Sequence, residues 1–385
     1  MELMRYGDFS LNLHYRLLGQ RVPINGTIEV TRRCPLRCVH CYNNLPMGDS
    51  TVKKNELTYK EHCRIIDQIT EAGCFWLLYT GGEIFARKDF LDIYTYAKNK
   101  GLLITLFTNG TLITEKVADY LAEWRPFSIE ISFYGFTKGT YERITGIPGS
   151  YDKCIKGIHL IRERRLPLKL KTMVLTINKH EIWEMKDFVE NELGSEFRFD
   201  PIINPRIDCS QDPLDVRLSP REVVELDRKD PKRMVEWTKF CEKFNGPVHS
   251  SEQLDELYHC GGGVNSFAID PYGMLNICVL SNGDAYNLRK GSFLEGWENF
   301  VCNLRRKKIT RQTKCVDCEV KAMCGMCPAN AQLENRDGEE PVDFLCHVAH
   351  LRAKALGIPV EPHGECEYCK DSGTLNFKNI KNVIS

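Results

Sequence analysis

The sequence predicts an α/β fold, a partial (β/α)6 TIM-like barrel followed by a small cysteine-rich domain, and three observations carry that prediction. Between residues 24 and 205, six segments rich in β-branched and aromatic residues alternate with segments whose apolar residues recur at helical spacing. Cysteine, glycine and polar motifs follow four of those strands, on the rim where barrels of this kind place their chemistry. From Cys260 the pattern changes to short strands, turns and dense cysteine.

In chain order, "TIEVTR" (27–32) is the first strand and runs into "TRRCPLRCVHCY". "LTYKEHCRIIDQITEAG" follows as a helix: Thr58 and Glu61 make a capping box, and Ile65, Ile66 and Ile69 share one face. "CFWLLYT" (74–80) is the second strand and ends at "GGE"; a helix over 90–98 stops near Gly101; "LLITLFTNG" (102–110) is the third strand. Strands over 127–135, 168–176 and 197–203 alternate with helices around 114–124, 151–164 and 180–192, the last preceded by Asn178 and Glu181 as a capping pair. The expected organisation is an N-terminal segment (1–23), the barrel (24–205), a polar bridging region with two helices near 219–228 and 231–244 (206–255), a cysteine-rich domain (256–350) and a tail (351–385).

Lys plus Arg and Asp plus Glu both number 52, so no net field favours nucleic acid or an anionic membrane surface. The first thirty residues lack a signal-like apolar run, and the longest such run, "CFWLLY" (74–79), is too short to span a bilayer. The expected setting is therefore the cytoplasm, without nucleic-acid or membrane partners. Thiols stay reduced there, so eighteen cysteines in clusters point to metal binding or catalysis rather than disulfides.

Cys34, Cys38 and Cys41 form C-x3-C-x2-C. Three thiolates can hold three irons of a cubane [4Fe–4S] cluster and leave the fourth iron open to substrate or cofactor. On its own the triplet could equally be a zinc half-site.

With "GGE" following the second strand, the triplet resembles the radical S-adenosylmethionine (SAM) superfamily. The resemblance implies that SAM chelates the open iron through its amino and carboxylate groups and that electron transfer from the cluster yields a 5′-deoxyadenosyl radical, which abstracts hydrogen from a C–H bond. It also implies SAM contacts. His40 would lie near adenine, Gly81, Gly82 and Glu83 would receive the amino group, and Asn109 would line the pocket. Ser132 and Arg143 would hold ribose and carboxylate groups. Ile84 stands where the family usually has proline.

Downstream, Cys260, Cys278 and "CVDCEVKAMCGMC" (315–327), then Cys346, resemble the SPASM extension of radical SAM enzymes, which houses auxiliary [4Fe–4S] clusters. The resemblance implies one cluster on Cys315, Cys318, Cys324 and Cys346, and a second, nearer SAM, on Cys260, Cys278 and Cys327. The fourth ligand of the second is open between Cys241, Cys302, a non-cysteine group and substrate. Zinc is the competing reading of the paired C-x2-C alone. Cys366 and Cys369 form one more C-x2-C, expected as a mobile, unligated pair; Cys63, Cys74 and Cys154 are expected as small buried hydrophobes.

The resemblance implies an oxidoreductase-type maturase of a peptide or protein, served by a low-potential flavodoxin- or ferredoxin-type electron donor. Only about thirty residues precede the cysteine loop, too few for a winged-helix leader-binding domain. A separate leader-recognition protein is then expected. A haem-pathway tetrapyrrole enzyme, a sulfatase formylglycine maturase and a non-catalytic zinc adaptor are the alternatives.

Overall fold

The computed structural model describes residues 5–244, 256–316 and 318–372. Its centre is a nine-stranded sheet. Six strands are β1 (Asn25–Thr31), β2 (Trp76–Gly81), β3 (Leu103–Thr108), β4 (Ser128–Ser132), β5 (Leu168–Met173) and β6 (Glu196–Asp200). They lie side by side in chain order and all run parallel. The other three are β7 (Ser266–Ile269), β8 (Met274–Asn276) and β9 (Tyr286–Asn287). β7 pairs parallel with the free edge of β1, Asn25 opposite Ser266, and β8 and β9 add antiparallel. The expected α/β partial barrel is present as an open sheet, and the cysteine-rich part extends it.

The strands alternate in chemistry. Ile28, Leu77, Tyr79, Ile104, Leu106, Ile129, Ile131 and Leu170 are buried together with the helices' apolar residues. Intervening positions, such as Glu29, Glu130, Ser132 and Lys171, put polar groups on the opposite face, as the two-residue period of a strand requires. Helices α1 (Tyr6–Arg16), α2 (Tyr59–Glu71), α3 (Phe90–Asn99), α4 (Glu115–Glu123), α5 (Lys138–Thr145), α6 (Ser150–Glu163) and α7 (Ile182–Asp187) flank the sheet. α2 starts at the expected box, with Glu61 N–H donating to Thr58 Oγ1 at 3.3 Å and Thr58 N–H to Glu61 at 2.7 Å. Its Ile65, Ile66 and Ile69 are fully buried, each worth about 1.5–3 kcal/mol of transfer free energy.

The Asn178–Glu181 capping pair does not form. Asn178 is buried and donates its amide to the carbonyls of Tyr134 (2.9 Å) and Met173 (3.0 Å), while Glu181 reaches across to the start of α5, accepting from the Phe136 and Thr137 N–H groups. Tertiary donors outcompete the local cap.

Residues 206–244 fold into α8 (Pro220–Lys229) and α9 (Pro231–Phe244). α8 packs on α11 (Asp343–Ala355), which follows α10 (Pro328–Asn335). Buried Asp227 accepts from Arg233 on α9 and, at 2.8 and 3.0 Å, from Arg352 on α11. Among the described residues no helix is long and apolar enough to cross a membrane.

Candidate functional site

The three-cysteine loop leaves the C-terminal end of β1 and is fixed at four points. Arg33 makes a bidentate pair with Glu56 (2.9 and 3.0 Å), both buried. The next residue, Cys34, pairs with Pro46 in a short parallel bridge that closes the loop on itself. The N–H groups of Arg37 and Val39 donate to the carbonyls of Thr145 and Ile144, the free acceptors at the end of α5. Gly146, left-handed at φ 67°, caps that helix. Arg206 completes the frame by donating to the Cys41 and Asn44 carbonyls at 3.0 and 2.9 Å.

"GGE" sits against the same loop because side chains would not fit. A Cβ on Gly81 would lie 2.1 Å from the Thr31 carbonyl oxygen, and one on Gly82 2.5 Å from the Arg32 and Arg33 oxygens. The backbone uses that closeness: Gly82 N–H donates to Thr31 and Glu83 N–H to Arg33. Glu83 is fully buried and accepts from Thr108 Oγ1 (2.7 Å), Asn109 N–H (2.8 Å) and Phe85 N–H (3.2 Å). Burial raises its pKa, and those donors pull it back. The Asn109 amide in turn reaches Cys34 Sγ at 3.4 Å. Cys34, Glu83 and Asn109, far apart in sequence, are one hydrogen-bonded unit.

Burial pushes the thiol of Cys34 up to about 12, with the Glu83 charge adding to it, and raises those of Cys38 and Cys41. The Cys38 thiol is raised further by Cys41 and Cys34, so the three sulfurs sense one another. Packed, mutually repelling sulfurs suit a cationic iron–sulfur group, which would take them as thiolates. The donor set fits three sites of a [4Fe–4S] cluster.

His40 is buried and edge-on to Tyr134, 4.6 Å between centroids; burial holds its pKa down at about 4, so it is neutral at pH 7. Among the described residues its Nδ1 has no hydrogen-bond partner. Ser132 ends β4, half-buried. Arg143 is exposed in the last turn of α5 and, among the described residues, makes no hydrogen bond or ion pair, so the structure does not join it to Ser132.

Several site groups escape the sequence reading. Glu29 on β1 is buried, accepts from Tyr42 at 2.8 Å and from Asn43, and pairs with Arg32 at 3.4 Å. Burial raises its pKa against the pull of Arg32. Lys171 lies over the Phe107 ring, 3.7 Å from Glu130, and burial lowers its pKa to about 7. An acidic residue inside an apolar strand is the signal that could have found Glu29. A cleft of about 800 Å³ opens over the loop, lined by Cys34, Cys38, Cys41, Arg37, Asp212 and Asp215 among others.

The downstream cysteines fall in two groups. Burial raises Cys278 to about 11, with Cys327 and Cys260 adding to it. Cys318 and Cys324 both rise to about 12 through burial, then through Cys315, and Cys324 also through Cys318; Cys346 rises through burial and neighbours that include Cys324. Cys315, Cys318, Cys324 and Cys346 line one cavity, together with His350 and His363. Cys241 packs on Met323 beside Cys318 and Cys324, not beside the Cys260 set for which it was a candidate fourth ligand, and Cys302 is buried. Of the expected hydrophobes, Cys74 and Cys154 are buried and Cys63 is half-exposed. The tail pair contradicts its expectation: Cys366 and Cys369 are 3% and 2% exposed, against His350 and His363. Two partners from outside the local spacing bury them.

Residues 28–189 match the Radical SAM superfamily. The chain is 28% identical over 334 residues to an AdoMet-dependent heme synthase of Methanosarcina barkeri, covering 81% of this chain and 94% of that one. It is 30% identical over 161 residues to a PqqA peptide cyclase of Bradyrhizobium diazoefficiens, covering 42% of each. The chain therefore spans less than half the length of that cyclase. In fold it is similar to Streptococcus suis SuiB, solved with S-adenosylmethionine and with its precursor peptide SuiA, at TM-scores of 0.65 and 0.66 and 17% identity. Those alignments cover 90% of this chain and 82% of SuiB. Residues 28–189 thus form a radical SAM domain, the mark of an enzyme of that class, and a SPASM-like cysteine-rich region follows it.

Proposed function

We propose that this enzyme cleaves SAM reductively and oxidises a peptide or protein substrate. Cys34, Cys38 and Cys41 would hold the SAM-binding [4Fe–4S] cluster. When bound, that cluster and SAM supply a one-electron cleavage of the sulfonium and a hydrogen-abstracting 5′-deoxyadenosyl radical. Glu83 and Asn109 hold the rim around Cys34, and neutral His40 offers an apolar ring beside the loop. Gly81 and Gly82 let the backbone approach it closely. Ser132 and Arg143 are assigned to the ribose and carboxylate; Arg143 would have to turn inward from solvent. Cys260, Cys278 and Cys327, and Cys315, Cys318, Cys324 and Cys346, would hold two auxiliary clusters that accept the electron an oxidised substrate must lose. A low-potential flavodoxin- or ferredoxin-type protein supplies the first electron, and a separate recognition protein brings the substrate.

The cleft over the cysteine loop carries the choice of a peptide. Its charged lining is Arg37 and Arg206 against Asp212 and Asp215, and Arg206 is already engaged with the loop carbonyls. A rim with no cationic excess suits the mixed charges of a peptide better than the several carboxylates of a tetrapyrrole. A second reading, tetrapyrrole oxidation, is favoured by the heme synthase match over 94% of that relative's length.

The test is incubation of reconstituted enzyme with SAM, reductant and either candidate precursor peptides or iron coproporphyrin, followed by mass spectrometry. The expected result is a peptide lighter by two hydrogens per modification and an unchanged porphyrin. Porphyrin turnover with untouched peptides would replace the first reading by the second.

A further inference from the structure

We propose that His350, His363, Cys366 and Cys369 form a tetrahedral zinc site, beside Cys315, Cys318, Cys324 and Cys346 but sharing no ligand with them, that fastens the chain after α11 back onto that helix. All four residues are buried, and one ligand atom from each lies within 4.8 Å of the others. His350 Nε2 is 3.3 Å from Cys369 Sγ and 3.7 Å from Cys366 Sγ; the two ring nitrogens of His363 are 3.2 and 3.9 Å from Cys369 Sγ. Zinc bonds of about 2.3 Å to sulfur and about 2.0 Å to nitrogen place neighbouring ligands of a tetrahedron about 3.5 Å apart. Three of the six edges, His350 to each cysteine and His363 to Cys369, are thus near the length one shared ion requires, and the other three lie within 4.8 Å.

Other centres fit worse. A cubane spreads its thiolates, because each binds a different iron. A two-iron centre with both cysteines on one iron and both histidines on the other would hold imidazole away from sulfur. Here each cysteine touches a histidine. A two-nitrogen, two-sulfur tetrahedron is a zinc donor set.

The surrounding hydrogen bonds prepare the nitrogens. His350 Nδ1 lies 2.8 Å from the Cys346 carbonyl one turn earlier in α11, which leaves the Nε2 lone pair facing the cysteines. His363 Nδ1 lies between the Glu361 carbonyl at 3.0 Å and Cys369 Sγ at 3.2 Å, with Nε2 at 3.9 Å from that sulfur, so a bond from Nδ1 to the carbonyl leaves Nε2 to the ion. Without an ion, two buried imidazoles and two thiols would pair mainly with one another in a small apolar cluster. The site also supports Cys346: its Sγ is 3.7 Å from Cys366 Sγ, and it shares a turn of α11 with His350.

The test uses full-length protein, purified anaerobically and reconstituted with iron and sulfide, with metals counted by mass spectrometry and zinc examined by X-ray absorption. About one zinc per chain is expected, with two sulfurs near 2.3 Å and two nitrogens near 2.0 Å. Replacing both cysteines (Cys366→Ser with Cys369→Ser), or replacing the histidine alone (His363→Ala), should lower zinc roughly tenfold or more and leave iron unchanged. Absence of zinc from the wild type would overturn the proposal. So would a four-sulfur zinc shell, which belongs to Cys315, Cys318, Cys324 and Cys346, or a loss of about four irons with zinc retained in the double variant. The wild-type absorption shell decides the matter even where a variant fails to fold.

Discussion

Glu83 uses both carboxylate oxygens inside the protein, and those bonds tie the third strand's rim loop to Cys34. Oε1 already accepts from both Thr108 and Phe85, but Oε2 accepts only from Asn109 N–H, so one lone pair is left for a bound amino group. Replacing it (Glu83→Ala) strands the Asn109 N–H and Thr108 hydroxyl and removes a charged acceptor. Hydrogen bonds to charged groups are worth about 1.5–3 kcal/mol, so SAM affinity should fall roughly tenfold or more. Equilibrium dialysis with the iron content measured in parallel checks this; unchanged affinity would remove Glu83 from the SAM site. At the same scale, cysteine spacing and "GGE" were legible because three or four residues carry them. The pairing of Glu29 with Tyr42 and Asn43 was not, since it depends on where the loop folds back.

Among the elements, α2 has a role beyond its own stability. Glu61, its capping residue, also accepts from Arg289 Nε at 2.7 Å, joining the barrel to the region after β9. Burial is the largest single effect and opposes the charge, but Arg289 and Thr58 together outweigh it and hold the Glu61 pKa down at about 2, from an ordinary 4.5. A depressed carboxylate pKa stabilises the fold above about 4.5 and loses that contribution as pH falls towards 2. Removing the charge (Glu61→Gln) should cost about 1 kcal/mol at pH 7, a cap-sized effect for a half-buried group, and the difference from wild type should shrink at acid pH. Denaturant midpoints at several pH values test it, and a difference that grows on acidification would contradict it. The Thr58 box was legible because both partners lie within four residues and face solvent. Asn178 and Glu181 show the same pattern but are claimed by Tyr134, Met173 and α5, which no local reading sees.

At the scale of the molecule, the alternation of strands and helices was legible from periodicity, and the parallel order followed from it. The pairing of β7 with β1 was not: it joins Asn25 to Ser266, and neither sequence announces its partner. That pairing brings Cys278, just after β8, towards the end of β1 from which the cysteine loop leaves. A cleft lined by both Glu29 and Cys278 lies between them. The arrangement supports the account's central claim, that the three-cysteine loop is the seat of SAM cleavage and the downstream cysteines serve it. The most direct test replaces Cys34, Cys38 and Cys41 together by alanine and measures iron and 5′-deoxyadenosine under reducing conditions with SAM. The account predicts a loss of about four irons per chain, auxiliary iron retained, and no 5′-deoxyadenosine. Continued formation of 5′-deoxyadenosine by that variant would contradict it.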